Sequence, residues 1–269
     1  MSPFLLISFI LFIMKRLLID IGNTRIKGCI ANESRLGKIV SKYYDKINIS
    51  RDFNNFLTQF RPKTELSRYI STFDTINISL VDRSIYSKIL FICGDFKTNF
   101  ISTKTPLPIK IDYTDTLGSD RICSTVGAFK KFKDKNNILV IDFGTATTFN
   151  VVSKGVFKGG MISTGIRTSA DALMNKTTLP KVFLNAQAKL INNETESAII
   201  SGIVFQQVLF VQKAIEEYRK LFKDLYVVAT GGGSEIIKQY KTGIDKFVNN
   251  LVLEGLNHIS IYNETIRKK

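Results

Sequence analysis

One seven-residue pattern occurs twice in this chain, and it limits the available folds more than any other feature. Leu17-Leu18-Ile19-Asp20-Ile21-Gly22-Asn23-Thr24 and Leu139-Val140-Ile141-Asp142-Phe143-Gly144-Thr145-Ala146 share two aliphatic residues, Ile-Asp, an apolar residue, Gly and a small polar residue. A short apolar run stopped by Asp and Gly reads as a buried strand that ends in a tight turn. A second apolar run follows each copy, Ile26 to Ala31 and Thr148 to Val152, so each copy reads as strand, turn, strand. The copies lie about 120 residues apart, far too long for a solenoid repeat. The chain is therefore expected to be α/β, with two similar domains from one duplicated unit. Its 269 residues are enough to bury two cores.

Helical spacing marks much of the rest. Phe53, Phe56, Leu57 and Phe60 predict a helix within Ile49 to Phe60, and Ile122, Val126 and Phe129 predict one from about Ser119 to Phe132. Ile200, Val204, Val208, Val211, Ile215, Tyr218 and Phe222 predict a long helix, with Asn193 and Glu196 as a capping pair at its start. Next come a short strand, Tyr226 to Ala229, the loop Thr230-Gly231-Gly232-Gly233, and a helical Ser234 to Tyr240. The charged stretch Lys130 to Asn137 reads as a loop, which puts the domain boundary between 132 and 133.

Phe4 to Ile13 is apolar, but a spanning helix needs about twenty residues. Its Lys15-Arg16 pair follows the run instead of preceding it, and no signal cleavage site is visible. Met14-Lys15-Arg16 reads as an ordinary start, so residues 1–13 are expected to be a mis-start or a short tail, and no membrane partner is expected.

The three Cys (Cys29, Cys93, Cys123) form no paired motif and there is one His, which argues against a disulfide framework and against a zinc site of ordinary spacing. A reducing, cytoplasmic location is expected. The chain carries 38 Lys plus Arg against 23 Asp plus Glu, a formal charge of +15. Such a balance suits nucleic acid, an anionic surface or a phosphorylated ligand. The Lys-rich stretches lack interleaved aromatics and any nucleic-acid module, so they read as solvated surface and no nucleic-acid partner is expected.

Three segments carry chemistry. Asp20 with Gly22, Asn23, Thr24, Arg25 and Lys27 places a carboxylate beside backbone, hydroxyl and cationic groups that suit anionic oxygens and a hydrated Mg²⁺. The Gly231 loop joins a strand to a helix, a junction that presents backbone N–H groups to phosphate. Leu117-Gly118-Ser119-Asp120-Arg121 opens a helix: Asp120 in its first turn can accept a hydroxyl proton during phosphoryl transfer, and Arg121 can fork onto an acidic group. Read as local structure alone, the same segments are a hairpin turn and a helix start.

In this order the motifs resemble the type III pantothenate kinases, from about Lys15 to Ile259. Asp20 to Lys27, Leu117 to Arg121, Asp142 to Thr148, Gly159-Gly160-Met161-Ile162, Thr178-Leu179-Pro180, Asn193 to Gly202 and Thr230-Gly231-Gly232 carry the likeness. The resemblance implies two ribonuclease-H-like, actin-like ATPase domains of the acetate and sugar kinase, Hsp70 and actin superfamily. It implies ATP-dependent phosphorylation of pantothenate, the first step of coenzyme A biosynthesis, by a homodimer using Mg-ATP and a monovalent cation, K⁺ or NH₄⁺. By the same resemblance Asp20, Ile21, Gly22, Asn23, Thr24, Arg25, Ile26 and Lys27 hold the ATP phosphates, with Asp20 toward the metal. Thr145 contacts ATP and Asp142 binds the monovalent cation. Asp120 is the proton acceptor, and Tyr113, Gly118, Ser119, Asp120 and Arg121 hold pantothenate. Thr195 reaches the pantothenate site of the partner subunit.

Two departures stand out against the family pattern. The loop Tyr113-Thr114-Asp115-Thr116 is short and lacks a Pro, and Thr164 replaces a Pro in Gly159 to Gly165. Two other functions share the fold: a regulatory nucleic-acid-associated protein and a phosphatase of polyphosphate or nucleotides. The Leu117 to Arg121 segment favours the vitamin kinase, and a binder has no need of both a base and a cation site.

Overall fold

The computed structural model describes residues 14–33, 35–60, 72–184 and 188–267. Residues 1–13, expected as a tail, lie outside them. The chain divides into two compact units, Met1–Phe100 and Ile101–Lys269.

In the first unit the order is β1 (Arg16–Ile21), β2 (Arg25–Ala31), β3 (Val40–Tyr43), α1 (Ile49–Leu57), β4 (Thr75–Leu80), α2 (Tyr86–Cys93) and β5 (Thr98–Phe100). The sheet order is β3-β2-β1-β4-β5. β1 sits in the middle, antiparallel to β2 and parallel to β4. That position explains its unbroken apolar run: Leu17, Leu18, Ile19 and Ile21 are fully buried, as a strand covered on both faces requires. The 3–4 spacing of Phe53, Phe56 and Leu57 turns one stripe of α1 onto this sheet, in a core that includes Ile19, Ile21, Ile26, Ile76 and Ile78.

The second unit contains β6 (Lys110–Ile111), α3 (Ser119–Lys131), β7 (Asn137–Phe143), β8 (Ala146–Ser153), β9 (Val156–Thr164), α4 (Ile166–Lys176), α5 (Thr195–Leu221), β10 (Tyr226–Thr230), α6 (Ser234–Ile237), β11 (Lys246–Phe247) and α7 (Leu251–Arg267). Its sheet order is β11-β10-β7-β8-β9-β6. Without β6 the order repeats the first unit strand for strand, with β7 in the place of β1 and the same senses: β7 is antiparallel to β8 and parallel to β10. The duplication read from seven residues thus extends over a five-stranded sheet. α5 is long and apolar enough to cross a membrane by length and composition, but its Ile199, Ile203, Val204, Val208 and Val211 lie in the core against Leu139, Ile141 and Phe143 of β7.

Three local expectations differ from the structure. α5 begins at Thr195, and Glu194 precedes it without a side-chain cap bond, so the Asn193–Glu196 pair does not cap it. α6 is a single turn ending at Ile237, not a helix to Tyr240. The third difference is the division of the chain, which falls after Phe100 and not at 132/133. α3 belongs with the second unit because it packs tightly on α7. A Cβ on Gly127 would stand 2.6 Å from the Leu251 carbonyl oxygen, and one on Gly255 would collide with the Cys123 carbonyl. Only two glycines let these backbones meet so closely. Gly255→Ala is therefore expected to destabilise the protein by about 1–3 kcal/mol, seen as a lower urea midpoint with an unchanged slope; an unchanged midpoint would mean the contact is not that tight.

Candidate active site

In the first unit, Asp20 is the penultimate residue of β1, in register with Lys27 of β2 and Ser79 of β4. Opposed residues share a face, so the Asp20 and Lys27 side chains leave the sheet on the same side. The turn closes with the Gly22 N–H on the Arg25 carbonyl at 3.0 Å. Asn23 and Thr24 are exposed at its tip, whereas Ile21 and Ile26 are fully buried, leaving only their backbone for a ligand. Tyr44 braces the turn, donating its hydroxyl to the Gly22 carbonyl at 2.7 Å. The Arg25 guanidinium lies over the Tyr43 ring, 4.1 Å from its centroid, and donates to the Tyr43 hydroxyl. Behind the turn, Asp82 is held down to about 2 by Lys46 and by Ser84.

The second unit repeats the arrangement. Asp142 is the penultimate residue of β7, in register with Thr148 and Thr230, and its turn closes with the Gly144 N–H on the Ala146 carbonyl at 3.1 Å. Here the neighbouring strand delivers the glycine loop. Gly231 adopts φ +91° with no room for a Cβ, which would strike a carboxylate oxygen of Asp142 and the Phe143 backbone. The Gly233 N–H donates to the Phe143 carbonyl at 2.9 Å, and Ser234 Oγ donates to the Gly231 carbonyl at 2.6 Å. A Cβ on Gly232 would meet nothing within 4 Å, so that face of the loop is open to a ligand. Exposed Thr145 lies in the adjoining turn, its carbonyl accepting from Gly165 N–H at 3.0 Å and Thr168 Oγ1 at 2.6 Å. Sequence reading named the Asp142 turn and the glycine loop separately; the parallel β7–β10 pair puts them side by side.

The third cluster surrounds the start of α3. Gly118 occupies the N-cap position in an extended conformation. A Cβ there would stand 2.6 Å from Asp120 Oδ1, so a bare residue is what lets that carboxylate fold back. Oδ1 accepts the Arg121 N–H at 2.8 Å. Burial pushes the Asp120 carboxyl above its ordinary value, against the opposing pull of that N–H and the Arg121 charge. Ser119 is buried. Arg121 is 6% exposed. Its guanidinium lies 5.4 Å from the Tyr113 ring centroid and 5.6 Å from that of Phe157, and the two rings meet edge to face. Arg121 Nε donates to Asn150 Oδ1 at 2.5 Å. Tyr113 is therefore brought to Arg121, while Thr195 sits exposed in the first turn of α5. Sequence reading missed Asn150 and Phe157, which look like ordinary strand residues. Period-2 alternation puts Thr148 and Asn150 on one face of β8, and a buried Asn on a strand otherwise rich in apolar residues was the available signal.

The residues present fit a nucleotide and its ions. Among the described residues no group of three or more His, Cys, Asp or Glu forms. A divalent ion would therefore rest mainly on water and phosphate, with few carboxylates, which is how Mg²⁺ is ordinarily held.

The sequence model of the type III pantothenate kinases matches residues 16–217. A type III pantothenate kinase of Bifidobacterium longum subsp. infantis is 34% identical over 253 residues, 90% of this chain and 96% of that protein. Among solved structures, a Campylobacter jejuni protein described as a Baf family transcriptional activator matches with a TM-score of 0.60 at 19% identity, over 93% of this chain and 99% of that one. A ROK family glucokinase of Streptomyces griseus matches with a TM-score of 0.54 at 9% identity, over 91% and 98%. At these identities the structural matches establish the fold alone, an α/β fold shared with that glucokinase.

A carboxyl whose folded-state pKa is raised stabilises the fold only while protonated, and that contribution is lost as pH rises through the raised value. Asp120→Asn is therefore expected to raise Tm at pH 7 relative to wild type, with the difference shrinking toward pH 4. An equal or lower Tm at pH 7 would mean that Asp120 carries no burial cost.

Proposed function

The chain belongs to the type III pantothenate kinase family, and we propose that it transfers the γ-phosphoryl group of ATP to the primary hydroxyl of pantothenate with Asp120 as the proton acceptor. The product is 4'-phosphopantothenate, and the reaction opens coenzyme A biosynthesis. The observation that best supports this division of labour is the Asp120–Arg121 pair: a half-buried carboxylate whose pKa is raised by desolvation, beside a buried guanidinium. A base matched to a hydroxyl and a fork matched to a carboxylate are what this acidic alcohol requires.

Phosphoryl transfer needs positioning and charge neutralisation more than covalent chemistry. Asp20, the Gly22 to Thr24 backbone and Lys27 take the phosphates, and Asp20 takes the side facing the metal. Mg²⁺ bound with ATP supplies charge neutralisation of the phosphates. Arg25 reaches them only by leaving Tyr43, on which its guanidinium rests. Thr145 and the open Gly232 backbone serve ATP. Asp142 holds a monovalent cation, K⁺ or NH₄⁺, at a strand end where it is in register with Thr148 and Thr230. Tyr113 and Gly118 to Arg121 receive pantothenate.

The enzyme works as a homodimer in this reading, with Thr195 serving the partner subunit's pantothenate site. Support comes from apolar side chains left outward on the second unit, among them Ile162 at 62%, Leu209 at 57% and Phe210 at 37% exposure. The β9 edge also lacks a pairing strand beyond Phe157 among the described residues. A cytoplasmic location fits three cysteines that are all buried.

With Mg-ATP, pantothenate and K⁺ or NH₄⁺, the protein is expected to release ADP. Asp120→Asn should lower kcat about 100-fold or more with little change in the KM of ATP. Since the base must be ionised, wild-type kcat/KM for pantothenate should fall on the acid side along a limb set by a pKa above 3.8. Full activity of Asp120→Asn would remove it as the base, and no turnover by the wild type would remove the function.

A further inference from the structure

For Arg121 to meet the substrate carboxylate, its guanidinium must be aimed. An arginine has many rotamers, and a guanidinium offers three nitrogens. Here the direction is set from β8. Asn150, fully buried, accepts Nε on Oδ1 at 2.5 Å. Its own Nδ2 donates to Thr148 Oγ1 at 3.0 Å, which fixes the amide with its oxygen toward Arg121. The Tyr113 and Phe157 rings flank the guanidinium. Nη2 is also buried, yet it has no hydrogen-bond partner among the described residues. A buried charged donor without an acceptor is costly, and sites that tolerate one tend to use it.

We infer that Asn150 is a positioning residue that makes the site selective for a carboxylate-bearing substrate: by occupying Nε it commits the terminal nitrogens of Arg121 to an incoming anion. Asn150 does not touch the substrate; it acts through Arg121. Thr148 extends the same device by holding the amide in one orientation. The inference rests on the proposed pantothenate kinase activity and adds a specificity determinant to it.

The test compares pantothenate with pantothenyl alcohol, in which a hydroxymethyl group replaces the carboxylate. Pantothenate KM, ATP KM and the Ki of the alcohol as a competitor are measured for wild type and Asn150→Ala. A misdirected charged hydrogen bond is expected to raise the pantothenate KM about tenfold or more. ATP KM and the alcohol's Ki should stay within about twofold, because neither ligand uses the carboxylate contact. Asn150→Thr suits a strand and is too short to reach Nε, so it carries the same expectation if Asn150→Ala does not fold. A wild-type pantothenate KM in a folded variant would overturn the inference. So would a parallel rise in the alcohol's Ki, which would mark a general loss of site shape. Wild-type protein without pantothenate turnover would overturn the parent activity, and this inference with it.

Discussion

Two buried central strands carry their only acidic residue one position before the end, and the rest of the chain is arranged around that fact. β1 and β7 are each flanked by one antiparallel and one parallel neighbour. A strand so enclosed must be apolar through its middle, so a carboxylate fits only near an end. The turn that follows is pinned by a glycine N–H returning to the next strand, at 3.0 Å after β1 and 3.1 Å after β7. The parallel neighbour then sets what stands beside each carboxylate: Ser79 for Asp20, Thr230 and the glycine loop for Asp142. In open α/β sheets, ligands gather beyond the carboxyl ends of the strands, and both carboxylates lie at such ends.

α3 packs through one face and carries the candidate site residues in its first turn. Gly127 lets α7 approach its backbone on one side. Its first turn holds Asp120 and Arg121, whose burial gives the carboxyl a raised pKa and the guanidinium a restricted set of partners. A helix that moved relative to β8 would separate Arg121 from Asn150, so the close α3–α7 contact helps fix the site. The large positive charge finds little use in this scheme. Lys131 pairs with Glu254 at 3.0 Å and Lys135 with Asp134 at 2.8 Å, both at the surface, where such pairs contribute little.

Much of this was legible in the sequence because it is written locally. The repeated Asp-x-Gly pattern announced two strand–turn units, and the 3–4 spacing of Ile122, Val126 and Phe129 announced α3, which ends at Lys131, one residue short of the expected Phe132. What was not legible depends on contacts distant along the chain. Arg25 is followed by no local sign that Tyr43 will hold its guanidinium. Asn150 lies 29 residues beyond Arg121 and looks like one more strand position. The charged loop after α3 resembles a linker, but the glycines facing α7 bind that helix into the second unit and move the division to Phe100. Cap chemistry misled at α5, where Asn193 and Glu196 have suitable spacing but the helix starts one residue too late to use them.

Asp20 and Asp142 are both proposed to serve phosphoryl transfer. The direct measurement is kcat/KM for ATP, with saturating pantothenate and K⁺, in Asp20→Asn and Asp142→Asn, each checked for an unchanged Tm. Loss of a charge-assisted contact at either position is expected to lower it about tenfold or more. Wild-type kcat/KM in either variant would contradict the account, because one copy of the repeat would then have no part in the chemistry.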